Sequence, residues 1–222
     1  MHKTSIFFAV VLVIVLVIAI SIYSFEAQPD PLEPRELENG LEQAIEFMEK
    51  RYYPSAIEEL DTIIAQEPDN AEAYFYRGRS YQEINDFQNA IADFQRATEL
   101  NPADAETFFQ KSTTYMRMGE FDHSTEALNR AIEIDNEYVF VYFNRGNAYF
   151  RMGQYREAAN EYSTVVAYNP EHANAYYQRG LAYIELGELA DATADFQQII
   201  DLNPSEQLVN DAQLQLNMIS KN

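Results

Sequence analysis

Two spacings of apolar residues divide the chain. Near its start no charged residue occurs between Lys3 and Glu26, and residues 6–24, IFFAVVLVIVLVIAISIYS, are apolar or uncharged throughout. The 22 residues inside that interval would extend about 33 Å as a helix at ~1.5 Å per residue, enough to cross a hydrocarbon core of ~30 Å. From residue 37 the pattern becomes amphipathic, with apolar, small and aromatic positions returning at helical intervals. The stretch AEAYFYRGRSYQEINDFQNAIADFQRATELNPAD at 71–104 sets a 34-residue period that is met again at 105–138, 139–172 and 173–206. A fixed period of this length predicts one supersecondary unit, two helices joined by a tight turn, stacked several times.

Counting the first residue of each unit as position 1, the recurring residues have separable physical roles. Position 8 is Gly78, Gly146 and Gly180, with Ala44 and Ser112 in the first and third units; position 20 is Ala56, Ala90, Ser124, Ala158 and Ala192. Small residues at both places let the two helices approach, with Tyr81, Tyr115, Tyr149 and Tyr183 at position 11 expected to fill the space beside them. Position 15 carries Gly119, Gly153 and Gly187, where the first helix must end and glycine accepts positive φ without strain. The closing Asn-Pro of ELNP, AYNP and DLNP stops the second helix. The third unit has Asn136 where proline is expected, which predicts that its second helix runs on or turns differently.

The unit resembles the tetratricopeptide repeat, whose pattern of aromatic, Leu-Gly, Tyr, Ala, Phe and closing Pro is met in the second unit by Tyr74, Gly78, Tyr81, Ala90, Phe94 and Pro102. Arg77 stands there where leucine is usual. The resemblance implies an all-α, right-handed solenoid of stacked helix-turn-helix repeats, which the apolar segment at 6–24 would precede as one transmembrane signal-anchor helix. Residues 1–5 would then be a cytoplasmic N-terminus and residues 25–36, with Pro29, Pro31 and Pro34, an extended acidic spacer. Residues 37–70 read as a degenerate first repeat, and residues 207–222 as an amphipathic helix capping the last one. A cleaved signal peptide is the competing reading of the N-terminus. Lys3 before the span and acidic residues after it place the repeats extracytoplasmic, in a periplasm or lumen.

Composition narrows the chemistry. The formal net charge of −21 repels phosphate backbones and argues against nucleic acid as a partner. The absence of cysteine removes disulfides and thiol catalysis. His2, His123 and His172 stand apart from any metal-ligand spacing, and no nucleophile elbow or phosphate loop occurs. The expectation is therefore a binding protein without cofactor, rather than an enzyme, with an enzyme's regulatory subunit as the remoter alternative.

In the resembled family, positions 2, 5, 9, 12 and 13 face the groove. Carried over, they give Phe109, Met116 and Arg117 in the third unit, Phe140, Phe143, Asn147, Phe150 and Arg151 in the fourth, and Tyr177 in the fifth. Aromatics with arginine are the residue types that anchor interfaces, so a protein or peptide segment with apolar anchors and an acidic group is expected to dock there. The arrangement that clamps a chaperone's C-terminal carboxylate is absent, because position 5 is Leu41, Phe75, Phe109, Phe143 or Tyr177 rather than lysine. Position 7 forms a cationic ladder, Arg77, Lys111, Arg145 and Arg179, whose stems are expected to pack between helices while their heads meet carboxylates. Sequence alone leaves self-association through an end of the array open.

Overall fold

The computed structural model describes residues 34–221. Residues 6–24, read above as a membrane span, and the spacer up to residue 33 lie outside the described residues. Among the described residues there are eleven helices and no strand, and no helix is long and apolar enough to cross a membrane. The helices are α1 (Pro34–Glu49), α2 (Tyr53–Gln66), α3 (Ala71–Glu83), α4 (Phe87–Leu100), α5 (Ala105–Met118), α6 (Phe121–Ile134), α7 (Val139–Arg151), α8 (Tyr155–Tyr168), α9 (Ala173–Glu185), α10 (Leu189–Leu202) and α11 (Glu206–Ile219). Pro34 is helical, not part of an extended spacer: proline at the first turn of a helix forfeits no intrahelical hydrogen bond and has its φ pre-set. Residues 40–221 form one compact unit.

Helices pack in chain order. α3 pairs with α4, α5 with α6, α7 with α8 and α9 with α10, and each second helix also packs on the first helix of the next repeat. Successive first helices touch as well, α3 with α5, α5 with α7 and α7 with α9, so they line one common face. α11 packs on α10 through Leu208, Ala212, Leu216 and Ile219, which close the cluster of Ala192, Phe196 and Ile199.

The space above the position-8 glycines is filled by the ring at position 24 rather than by the position-11 tyrosine. Phe94, Tyr162 and Phe196 are fully buried and lie directly over Gly78, Gly146 and Gly180. The two units with a larger residue at position 8, Ala44 and Ser112, carry leucine at position 24, Leu60 and Leu128. Volume is thus conserved across each hairpin, as a close-packed core requires.

Turn chemistry follows the sequence. Gly119, Gly153 and Gly187 have φ of 79°, 76° and 76°, and Arg51 and Asn85 hold the same left-handed conformation at the equivalent place. Asn70, Asp104 and His172 cap their helices, with backbone amides of Ala73, Glu106 and Ala175 donating to them at 2.9, 3.2 and 3.1 Å. The second helix of the third repeat does not run on. α6 stops at Ile134, and the Asp135 carboxylate accepts the Glu137 amide at 2.9 Å, as Asn169 accepts that of Glu171 at 3.0 Å. This Asx turn supplies the stop that proline supplies elsewhere.

Candidate functional site

The position-7 ladder is structural. Arg77 donates from Nε and Nη2 to Asp93 at 2.8 and 2.7 Å, and from Nη1 to Asp61 of the preceding repeat at 2.6 Å. Arg179 makes the same fork to Asp195 at 2.9 and 2.7 Å and reaches back to Ser163 at 3.0 Å. Arg145 bonds Glu161 at 2.8 Å and Asn129 at 2.7 Å. Each arginine therefore ties position 23 of its own hairpin to position 25 of the one before. In the third repeat Ala127 occupies position 23, and Lys111 bonds Gln95 of the preceding repeat. Burial pushes the Lys111 ammonium below its ordinary range, with Glu126 and Glu99 opposing.

On the face lined by the first helices, the residues singled out from sequence divide into two groups. Phe143 and Tyr177 are half-buried, their rings 5.7 Å from those of Tyr162 and Phe196. Phe109 is half-buried against Leu128, Ala131 and Val141, and Phe150 packs edge-on to Tyr155 at 5.2 Å. Asn147 accepts the hydroxyl of buried Tyr162 at 2.8 Å. Met116 is half-buried near the end of α5. Phe140 alone among them is an exposed large apolar side chain, 62% accessible at the start of α7.

The two arginines are held by the preceding repeat. Arg117 donates to the Gln82 carbonyl at 2.9 Å and to Asn85 Oδ1 at 2.6 Å, and its guanidinium lies 4.8 Å from the centroid of Phe87. Arg151 lies 5.2 Å from that of Phe121. Both are at position 13 over a phenylalanine at position 17, so cation–π stacking staples repeat to repeat. Where position 17 is Tyr53, position 13 is Glu83, which accepts the phenol at 3.4 Å. These inter-repeat pairs were not found from sequence, although their spacing, 30 residues apart in each case, was there to be read.

Gln82, also a groove position, is buried and donates Nε2 to Thr113 and Thr114 at 2.8 and 2.9 Å, joining α3 to α5. At the next junction Tyr138 donates to Glu106 at 2.5 Å, while Gln110 donates to the other oxygen of Glu106 at 2.6 Å. The first helices therefore carry half-buried aromatics, one exposed phenylalanine and carboxylates.

Stacked hairpins joined through their first helices, with side chains of both helices locking each repeat to the last, define a helical-repeat scaffold. Models of the tetratricopeptide repeat match residues 41–105 and 143–206, and a model of the TPR repeat matches residues 113–153. Since the first covers more than half of the chain, the protein belongs to the tetratricopeptide repeat family. Among solved structures, the chain is similar to a crystal structure of MamA protein, with 23% identity and a TM-score of 0.71 over 75% of this chain and 91% of that one. It is similar also to YrrB, described as a TPR protein with an unusual peptide-binding site, with 21% identity and a TM-score of 0.69 over 78% and 90%. MamA from Desulfovibrio magneticus RS-1 gives 16% identity and a TM-score of 0.72 over 81% and 99%. No curated protein matches the chain.

Proposed function

We propose that this protein is a scaffold that holds a protein or peptide partner on the face lined by its first helices, tethered to a membrane through residues 6–24 with the repeats on the extracytoplasmic side. The observation that carries the docking site is Phe140, left 62% exposed between half-buried aromatics on that face. Interface anchors are of this kind, aromatic and pre-positioned so that little side-chain entropy is lost on contact. Phe109, Phe143, Phe150, Met116 and Tyr177 supply the rest of the apolar wall, with Asn147 as a polar contact, and Arg117 and Arg151 border it. The tether is supported by the length of the uncharged N-terminal run. Assembly of a membrane or envelope complex is the role such a tethered scaffold would serve.

A photo-crosslinking residue placed at Phe140, with Tyr168 on a second helix as the comparison position, tests the docking face in intact cells. Both side chains are exposed. A single partner captured from position 140 and absent from position 168 is the expected result, and equal capture from both, or none from 140, overturns it. Sequencing the mature N-terminus tests the tether: loss of the first ~20–27 residues identifies a cleaved, soluble adaptor instead.

A further inference from the structure

An acidic group on the partner is expected only if Arg117 and Arg151 are available to meet it. Arg117 is hydrogen-bonded to the preceding repeat and stacked on Phe87, and Arg151 is stacked on Phe121. Neither contact neutralises a guanidinium, but both arginines stand at the ends of their helices, whereas the charged groups around the starts of α5 and α7 are acidic. Among the described residues, Asp104, Glu106 and Asp135 form no ion pair with lysine or arginine; their hydrogen bonds come from backbone amides, hydroxyls and an amide side chain. All three bear on Tyr138. Burial first, then the hydrogen bond and charge of Glu106 and the charges of Asp104 and Asp135, push its hydroxyl far above the ordinary phenol range.

Tyr138 is also the aromatic neighbour of Phe140. Their rings are edge-to-face with centroids 6.0 Å apart, and the Tyr138 ring lies 5.3 Å from Phe109. Position 2 is Glu72, Glu106 and Asn174 in the second, third and fifth repeats, so Phe140 replaces a polar residue at this place in the fourth. An exposed ring adds little to folding at 62% accessibility. An aromatic face bordered by uncompensated carboxylates attracts an organic cation twice over, through the ring quadrupole and through Coulomb attraction, and repels an anion. The formal net charge of −21 steers in the same direction.

We propose that the Tyr138–Phe140 shelf receives a lysine or arginine side chain, so that the segment docking on the first-helix face is basic. This rests on the reading of that face as the docking surface and gives the partner a charge sign.

The test uses the described repeats within the full chain and three short capped peptides of identical length containing leucine and glycine, with arginine, glutamine or glutamate at the variable positions. Affinity is read by fluorescence anisotropy at physiological salt. The arginine peptide is expected to bind more tightly than the glutamine peptide, and the glutamate peptide least. Phe140→Ala and Glu106→Gln are each expected to weaken the arginine peptide by about two- to fivefold, the size of an exposed cation–π or surface charge contact. Tyr168→Ala is expected to leave it unchanged, and circular dichroism to show all three variants folded. Equal binding of the arginine peptide to wild type and Phe140→Ala overturns the proposal, because it reports diffuse attraction to an acidic surface; so does failure of the arginine peptide to bind. Tighter binding of the glutamine or glutamate peptide, sensitive to Phe140→Ala, overturns the basic partner while the docking face stands. If no peptide responds to Phe140→Ala and the photo-crosslinker at 140 captures nothing, the docking face falls too.

Discussion

A Cβ added at Gly146 would lie 2.7 Å from Cε1 of Tyr162, closer than carbon atoms can approach. The ring is fully buried and cannot retreat. Gly146→Ala gains about 1 kcal/mol of helix propensity and loses about 1–3 kcal/mol to overpacking, so the variant should be net destabilised. The Ala44–Leu60 and Ser112–Leu128 pairs indicate the remedy. Combining Gly146→Ala with Tyr162→Leu should be less destabilising than the sum of the two changes, with a coupling of about 1 kcal/mol or more in a double-mutant cycle by denaturant unfolding.

Ser124 stands at position 20, where the other four repeats have alanine, and its buried hydroxyl has no hydrogen-bond partner. Burial of an unsatisfied hydroxyl costs about 1 kcal/mol or more. Ser124→Ala should therefore stabilise the protein by about 1 kcal/mol, read as a rise of about 2–4 °C in melting temperature. A fall would show that the hydroxyl is satisfied.

Asp93 and Asp195 receive the full guanidinium fork, whereas Glu161, one methylene longer, takes a single bond and leaves Arg145 Nε and its own Oε2 buried without partners. Glu161→Asp should restore the two-pronged pair. The expected gain is about 1 kcal/mol, the net worth of a charge-assisted bond after the poorer helix propensity of aspartate. Chemical denaturation measures it, and an amide-like loss of stability would mean that the shorter side chain falls short of Arg145.

Burial pushes the Tyr162 hydroxyl well above the ordinary phenol range near 10. Its folded-state value is raised, so the native protein keeps a proton that the unfolded chain gives up, and ν_U falls below ν_N above pH ~10. The contribution is fully present below the unfolded value and is lost as pH climbs through the folded one. Tyr162→Phe, the residue found in Phe94 and Phe196, should cost about 1 kcal/mol at neutral pH for the lost bond to Asn147. It should also flatten the decline of stability above pH ~10 relative to wild type; identical slopes would refute the assignment.

The repeat phase, the glycine turns and the ladder of position-7 cations were legible because each recurs at a fixed period, so sequence alone exposes it. Legible too was that the cation heads meet carboxylates, as Arg77, Arg145 and Arg179 do, although Lys111 meets the Gln95 amide instead. The reason for the position-8 glycines was not, because it lies sixteen residues away in Phe94, Tyr162 and Phe196, across a hairpin whose packing no local pattern reveals. The groove aromatics Phe109, Phe143 and Tyr177 were named from family spacing, but their half-burial on the residue at position 24 follows only from how the hairpin closes. The stacking of Arg117 and Arg151 on Phe87 and Phe121 was not legible, because those rings belong to the preceding repeat. At Ile134 the second of the two expected outcomes holds, a different turn, because an Asx turn and a proline stop a helix by different means.

The third repeat has a lysine where its neighbours have arginine and an alanine, Ala127, where they have an acid, so its own two helices lack the tie that fastens the repeats on either side. A chain of linked hairpins opens first at its loosest clasp. Amide exchange should accordingly find the seam between α5 and α6 parting before those on either side, leaving two short stacks hinged in the middle.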